Sequence, residues 1–156
     1  MSAETEDSLV AVPGGNIFVR RWLVGGDDLE PIILLHDSLG SVEMWHDFPA
    51  ALAKASARSV IAYDRLGFGK SSPRTALPST QFILEEAQVY FPAVAQALAL
   101  NSYVLFGHSV GGCMALSVAS LHPDQCKAVT SESAQAFVEP RTLAGIEAAE
   151  VSFGIS

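Results

Sequence analysis

The chain has 156 residues, 49% hydrophobic and 17% charged, with a formal net charge of -8. That length suits one globular domain, and the acidic balance argues against nucleic acid, whose phosphates need a basic face. No apolar run of 18 residues predicts a membrane span, the acidic start lacks the signature of a signal peptide, and Cys113 and Cys126 form no disulfide framework, so a cytoplasmic protein is expected.

Residues 8–12 and 17–24 are apolar-rich runs joined by Pro13-Gly14-Gly15-Asn16, which predicts an antiparallel hairpin. Residues 25–28 form a loop. Residues 31–35 are continuously apolar, as in a strand buried on both faces. A helix is expected over 41–57, with Ser41 as N-cap and Trp45, Phe48, Ala51 and Leu52 on one side. Residues 59–63 are the next buried strand, followed by a turn-rich loop through Gly69 and on to Pro78. A helix over 80–98 is expected to break or kink at Pro92, because proline removes a hydrogen bond and clashes with the preceding turn. Residues 103–106 are a strand, 110–121 a helix closed by His122-Pro123, 127–130 a strand, and 140–149 a helix with proline in its first turn. Alternating strands and helices imply a mostly parallel sheet covered on both faces.

The densest signal is Gly107-His108-Ser109-Val110-Gly111, set between the apolar strand and the small-residue helix. A G-x-S-x-G turn of this kind holds a serine Oγ out at the edge of a sheet. Its glycines are needed where backbone approaches backbone and a Cβ would clash. The loop His36-Asp37-Ser38-Leu39-Gly40 stands where a second oxyanion donor is needed, and the N–H groups of Ser38 and Val110 are the candidates. Glu132, at the end of the last strand, is a candidate to orient a histidine.

The four histidines each have a structural role available. His36 holds its loop, with a lesser alternative as a surrogate base. His46 faces solvent or a neighbouring side chain, His108 packs beneath the serine turn, and His122 ends a helix. Without a base in reach, a serine hydroxyl is a weak nucleophile. Gly69-Lys70-Ser71 resembles the end of a phosphate loop, but position 64 is Asp and no helix follows, so nucleotide binding is not expected. Asp64 and Arg65 are expected to fix the loop after the fourth strand. No metal-ligand spacing occurs, and neither a metal nor a cofactor is expected.

These motifs, with Tyr63-Asp64-Arg65-Leu66-Gly67-Phe68-Gly69-Lys70-Ser71, resemble the α/β-hydrolase family in order and spacing over residues 8 to about 135. The resemblance implies an α/β sheet of eight strands, of which this chain would supply strands one to six in the order 1-2-4-3-5-6 and would lack strands seven and eight. It implies a core over residues 1–138, with 139–156 opening a cap. It also implies a serine hydrolase of carboxylic esters or related small acyl compounds, with Ser109 as nucleophile and the Ser38 and Val110 N–H groups as oxyanion donors. Asp37 departs from the usual glycine of that loop. The acid and histidine that follow the late strands are not in the sequence, so the chain alone is expected to be nearly inactive. Its sixth strand would then present an open edge, completed by a second piece or by self-association. The alternative is a non-catalytic binding or assembly module on the same fold.

Overall fold

In the computed structural model, which describes residues 4–25, 29–134 and 139–153, six strands form one sheet in the order β1-β2-β4-β3-β5-β6. β1 (Glu4–Val12) and β2 (Gly15–Leu23) form the expected hairpin. Its turn falls at Pro13-Gly14, where Gly14 takes φ 90, a left-handed value that glycine adopts without a Cβ penalty. Arg20 pairs with Asp7 and Glu43 on one face of this ribbon, and Arg21 with Glu6 on the other.

β3 (Ile32–Leu35), β4 (Val60–Tyr63), β5 (Tyr103–His108) and β6 (Cys126–Glu132) are parallel, while β2 joins β4 antiparallel. β3 and β4 are buried at every position, as their unbroken apolar runs require. Successive side chains alternate between two cores. Ile33, Leu35, Ile61, Tyr63, Tyr103 and Leu105 face one of them, shared with Phe91, Met114 and Val118. Ile32, Leu34, Val60 and Ala62 face the other, with Ala53 and the half-buried Trp45 and Phe106.

The helix expected over 41–57 is instead two pieces, a 3-10 turn at Glu43–Trp45 and α1 at Phe48–Ser56. His46, with φ 49, separates them. Pro49 is the reason: it has no N–H to return to residue 45, so it belongs in a first turn. Ser41 is therefore not the N-cap. The buried face of α1 is Pro49 and Ala53, not the side running through Ala51.

The helix expected to break or kink at Pro92 does not end there, but its α turns are interrupted just before it. α2 (Phe82–Glu85) runs into a π turn (Glu86–Tyr90) and then α3 (Phe91–Ala97). The ring of Pro92 would meet the carbonyl of Gln88, four residues back, and that carbonyl lies in the widened turn, which makes room for it.

α4 (Val110–Leu121) packs across β5 and β6. β6 is exposed from Lys127 to Glu132 and pairs only with β5 among the described residues. α5 (Pro140–Phe153) presents Leu143, Ile146 and Val151 to solvent. The expected boundary between core and cap, at 138/139, falls at residues 135–138, outside the described residues. No helix among the described residues is long and apolar enough to cross a membrane.

Candidate active site

Ser109 occupies the turn between β5 and α4 with φ 54 and ψ -122, a conformation costly for a residue with a Cβ. Such strain persists only where the surroundings over-determine it. Here the N–H of Ser109 donates to the carbonyl of Glu132 at 2.9 Å, and its own carbonyl accepts from Gly112 at 2.9 Å. The flanking glycines close the vice. A Cβ on Gly107 would lie 2.1 Å from the Gly111 carbonyl oxygen, and one on Gly111 would lie 2.1 Å from that of Leu35.

The turn places Val110 at the first position of α4, where its N–H has no intrahelical acceptor. Across the β3–β5 pair, the Asp37 carboxylate accepts from the Leu39 N–H at 3.1 Å, and the Asp37 carbonyl accepts from Gly40 at 3.4 Å. Neither the Ser38 nor the Val110 N–H donates to a protein acceptor among the described residues. Ser38 and Val110 line one cavity of about 190 Å³, together with Arg65, Arg74, Phe82 and Met114.

Asp64 and Arg65 hold the two loops of the site, though not by pairing with each other. The buried Asp64 carboxylate accepts from the Val42 N–H at 2.6 Å and the Lys70 N–H at 2.7 Å. Arg65 reaches back to the loop after β3, donating from Nη1 to the His36 carbonyl at 2.6 Å and from Nη2 to the Asp37 carbonyl at 2.7 Å.

His36 is only 2% exposed, and both ring nitrogens are committed. Nδ1 donates to the Asp37 carbonyl at 2.8 Å, and Nε2 accepts from the Arg65 N–H at 3.1 Å. Burial, reinforced by the Arg65 charge and opposed by the Asp37 carbonyl, pushes its pKa down to about 3. It holds its loop and has no nitrogen left to act as a base.

His108 is half-exposed rather than packed beneath the turn. Its Nδ1 meets a carboxylate oxygen of Glu132, its partner across β5 and β6. Its side chain points to the α1 face, in a small cavity with His36, Ser41, Met44 and Trp45. Glu132 therefore does meet a histidine, but one on the face of the sheet turned away from α4. Hydrogen bonds from Ser133 and His108 lower the Glu132 pKa. His46 is exposed, and His122 donates from Nε2 to the Ala87 carbonyl at 3.2 Å, at the far end of α4.

Glu86 and Arg74 are site residues that the motifs did not single out. Glu86 is 1% exposed and lines the cavity of Ser38 and Val110. Its Oε1 accepts from the Tyr63 hydroxyl at 2.7 Å. Burial raises its pKa, against the Tyr63 hydrogen bond and the charges of Arg65 and Arg74. The signal was present in the sequence: Ile83, Ala87, Phe91 and Val94 form a helical stripe on which Glu86 also falls.

A family model described as the alpha/beta hydrolase fold matches residues 30–151. The chain belongs to that family. It is 30% identical over 118 residues to a probable lysophospholipase, BODYGUARD 3, of Arabidopsis thaliana, covering 74% of this chain and 23% of that protein. It is 33% identical over 106 residues to a proline iminopeptidase of Lactobacillus delbrueckii subsp. lactis, covering 67% of this chain and 36% of that protein. Among solved structures, the carboxylesterase CesB of Bacillus subtilis superposes with a TM-score of 0.68 at 27% identity, covering 90% of this chain and 48% of that one. The naproxen esterase of Bacillus subtilis superposes with a TM-score of 0.73 at 21% identity, covering 95% and 50%. The chain thus spans about a quarter to a third of the length of these curated relatives and about half of these solved structures.

Proposed function

We propose that the chain is the nucleophile-bearing part of a serine hydrolase acting on carboxylic esters or related small acyl substrates. The observation that carries this reading is the strained Ser109, fixed between two glycines at the mouth of α4. Ser109 Oγ attacks the acyl carbonyl, and the N–H groups of Ser38 and Val110 receive the charge that develops on its oxygen. Two preorganised donors at such a position are worth roughly 3 kcal/mol of barrier each. Arg65 acts as a positioning residue by tying down the two carbonyls that precede Ser38, those of His36 and Asp37. The relatives, whose names include a lysophospholipase, a proline iminopeptidase and esterases, support hydrolysis without choosing the substrate.

The base is the open role. His36 has both nitrogens engaged, His108 lies on the α1 face, and His122 is at the other end of α4. In this reading a histidine beyond these residues, on a longer chain or a second polypeptide pairing with the β6 edge, completes the site, and this chain alone is nearly inactive. The same observation favours a second reading, a non-catalytic module that keeps the fold and its pocket. A fluorophosphonate probe separates them. Labelling that disappears in Ser109→Ala supports an activated serine, and no labelling of the native chain, alone or with a complementing segment, supports the module.

A further inference from the structure

The two arginines that line the cavity of Ser38 and Val110 are differently occupied. Arg65 spends both terminal nitrogens on loop carbonyls. Arg74 spends neither. Its Nε donates to the Leu66 carbonyl at 3.2 Å, and its guanidinium carbon sits 5.4 Å from the centre of the Tyr90 ring. The loop is shaped around its stem: Gly67 has φ 90, and a Cβ there would meet Arg74 Cγ at 3.0 Å. Held in this way, Nη1 and Nη2 make no hydrogen bond or ion pair among the described residues, although the Arg74 charge acts on the buried Glu86.

Arg74 also borders two spaces. It lines the cavity of about 190 Å³ beside Ser38 and Val110, and an open one of about 550 Å³ bounded by Thr75, Leu77 and Pro78. Phe68 and Pro78 are likewise shared by both. Arg74, Phe68 and Pro78 thus stand between the outer space and the inner one. Glu86, the one carboxyl lining the inner cavity among the described residues, is already engaged by Tyr63. The cavity is thus a positive spot on a chain whose formal net charge is -8. A fixed guanidinium presents a planar fork that fits the two oxygens of a carboxylate or phosphate. The apolar walls of Leu66, Phe82 and Met114 suit a carbon body attached to that group.

We propose that Arg74 is a specificity-determining residue of this cavity, selecting substrates that carry a carboxylate or phosphate group alongside the reacting acyl group. This rests on the hydrolase reading for the word substrate, but the binding it predicts needs neither Ser109 chemistry nor a base.

The test is a titration of the 15N-labelled full chain, followed by the amide resonances of residues 65–74 and 110–114. Monomethyl glutarate is compared with dimethyl glutarate, and sn-glycerol 3-phosphate with glycerol. The anionic member of at least one pair is expected to bind about ten-fold tighter, as a charge-assisted fork predicts. Arg74→Gln should abolish the preference, Arg74→Lys should keep part of it, and Ser109→Ala should leave it intact. The pair that shows the preference identifies carboxylate or phosphate as the group. Equal affinities within both pairs, no binding of any of the four, or a preference unchanged in Arg74→Gln would overturn the proposal. An unchanged preference in Arg74→Lys would also count against the fork. Preference without probe labelling keeps this inference and removes the catalytic one; labelling without preference does the reverse.

Discussion

Gly111→Ala and Gly145→Ala are the same chemical change inside two helices, and the structure gives them opposite signs. At Gly111 the added Cβ would lie 2.1 Å from the Leu35 carbonyl oxygen and 2.5 Å from that of His36. A carbon and an oxygen need roughly 1 Å more than this, so α4 and β3 must move apart by about that distance. Overpacking of side chains costs about 1–3 kcal/mol, and here both sides are backbone, which points to the upper end. Alanine returns at most about 1 kcal/mol as the better helix former. The net expectation is a loss of about 2 kcal/mol, read as a lower urea midpoint. At Gly145 no atom outside the helix's own backbone lies within 4 Å of the new Cβ among the described residues, so the gain of about 1 kcal/mol stands alone and raises helical ellipticity. A Gly111→Ala chain within about 0.5 kcal/mol of the parent, or both variants moving in the same direction, would refute the close-approach argument.

Ser109→Gly should stabilise the chain by about 1–3 kcal/mol in urea titration by releasing the strained backbone, while Ser109→Ala, which keeps a Cβ, should not; equal midpoints for the two would remove strain from the account. Asp64→Asn keeps one acceptor and turns a donor towards the other buried N–H, so a cost of about 1–3 kcal/mol is expected, with the amide resonances of Val42 and Lys70 displaced most. His36 gives a pH signature. Its folded pKa is depressed from 6.5 to about 3, so between those values the unfolded chain binds a proton that the folded ring refuses. Stability from this group is complete above pH 6.5 and falls as the pH drops towards 3, by at most about 4–5 kcal/mol. His36→Gln should flatten that window relative to the parent in urea titrations repeated across pH, and parallel curves would contradict the buried, neutral ring.

The serine turn and both buried central strands were legible in the sequence because their signals are local. Glycine spacing, an apolar run and a small-residue helix lie within a dozen residues of one another. The split of the 41–57 helix was also local, since Pro49 states it. That the interruption near Pro92 takes the form of a widened turn rather than an end was not, because nothing local in the sequence specifies a π turn. The partner of His108 depended on register. β5 and β6 slip by one residue between Tyr103 and Val104, leaving Lys127 as the extra residue on β6. Without that slip Ser131 would stand opposite His108, and the slip moves Glu132 there instead. Arg74 carries no motif at all. Its role comes from a carbonyl, a ring and a glycine that the fold brings around one stem.

Glu132 anchors the serine turn twice, through its carbonyl to the Ser109 amide and through its carboxylate to His108. It sits at the end of a strand with little burial of its own. Opening of that strand alone, far short of global unfolding, releases both anchors together. Deuterium should accordingly enter the Ser109 amide at the rate set by β6, while β3 and β4 stay protected. The strained geometry of the turn then has a lifetime of its own, governed by the sheet's outermost strand rather than by its core.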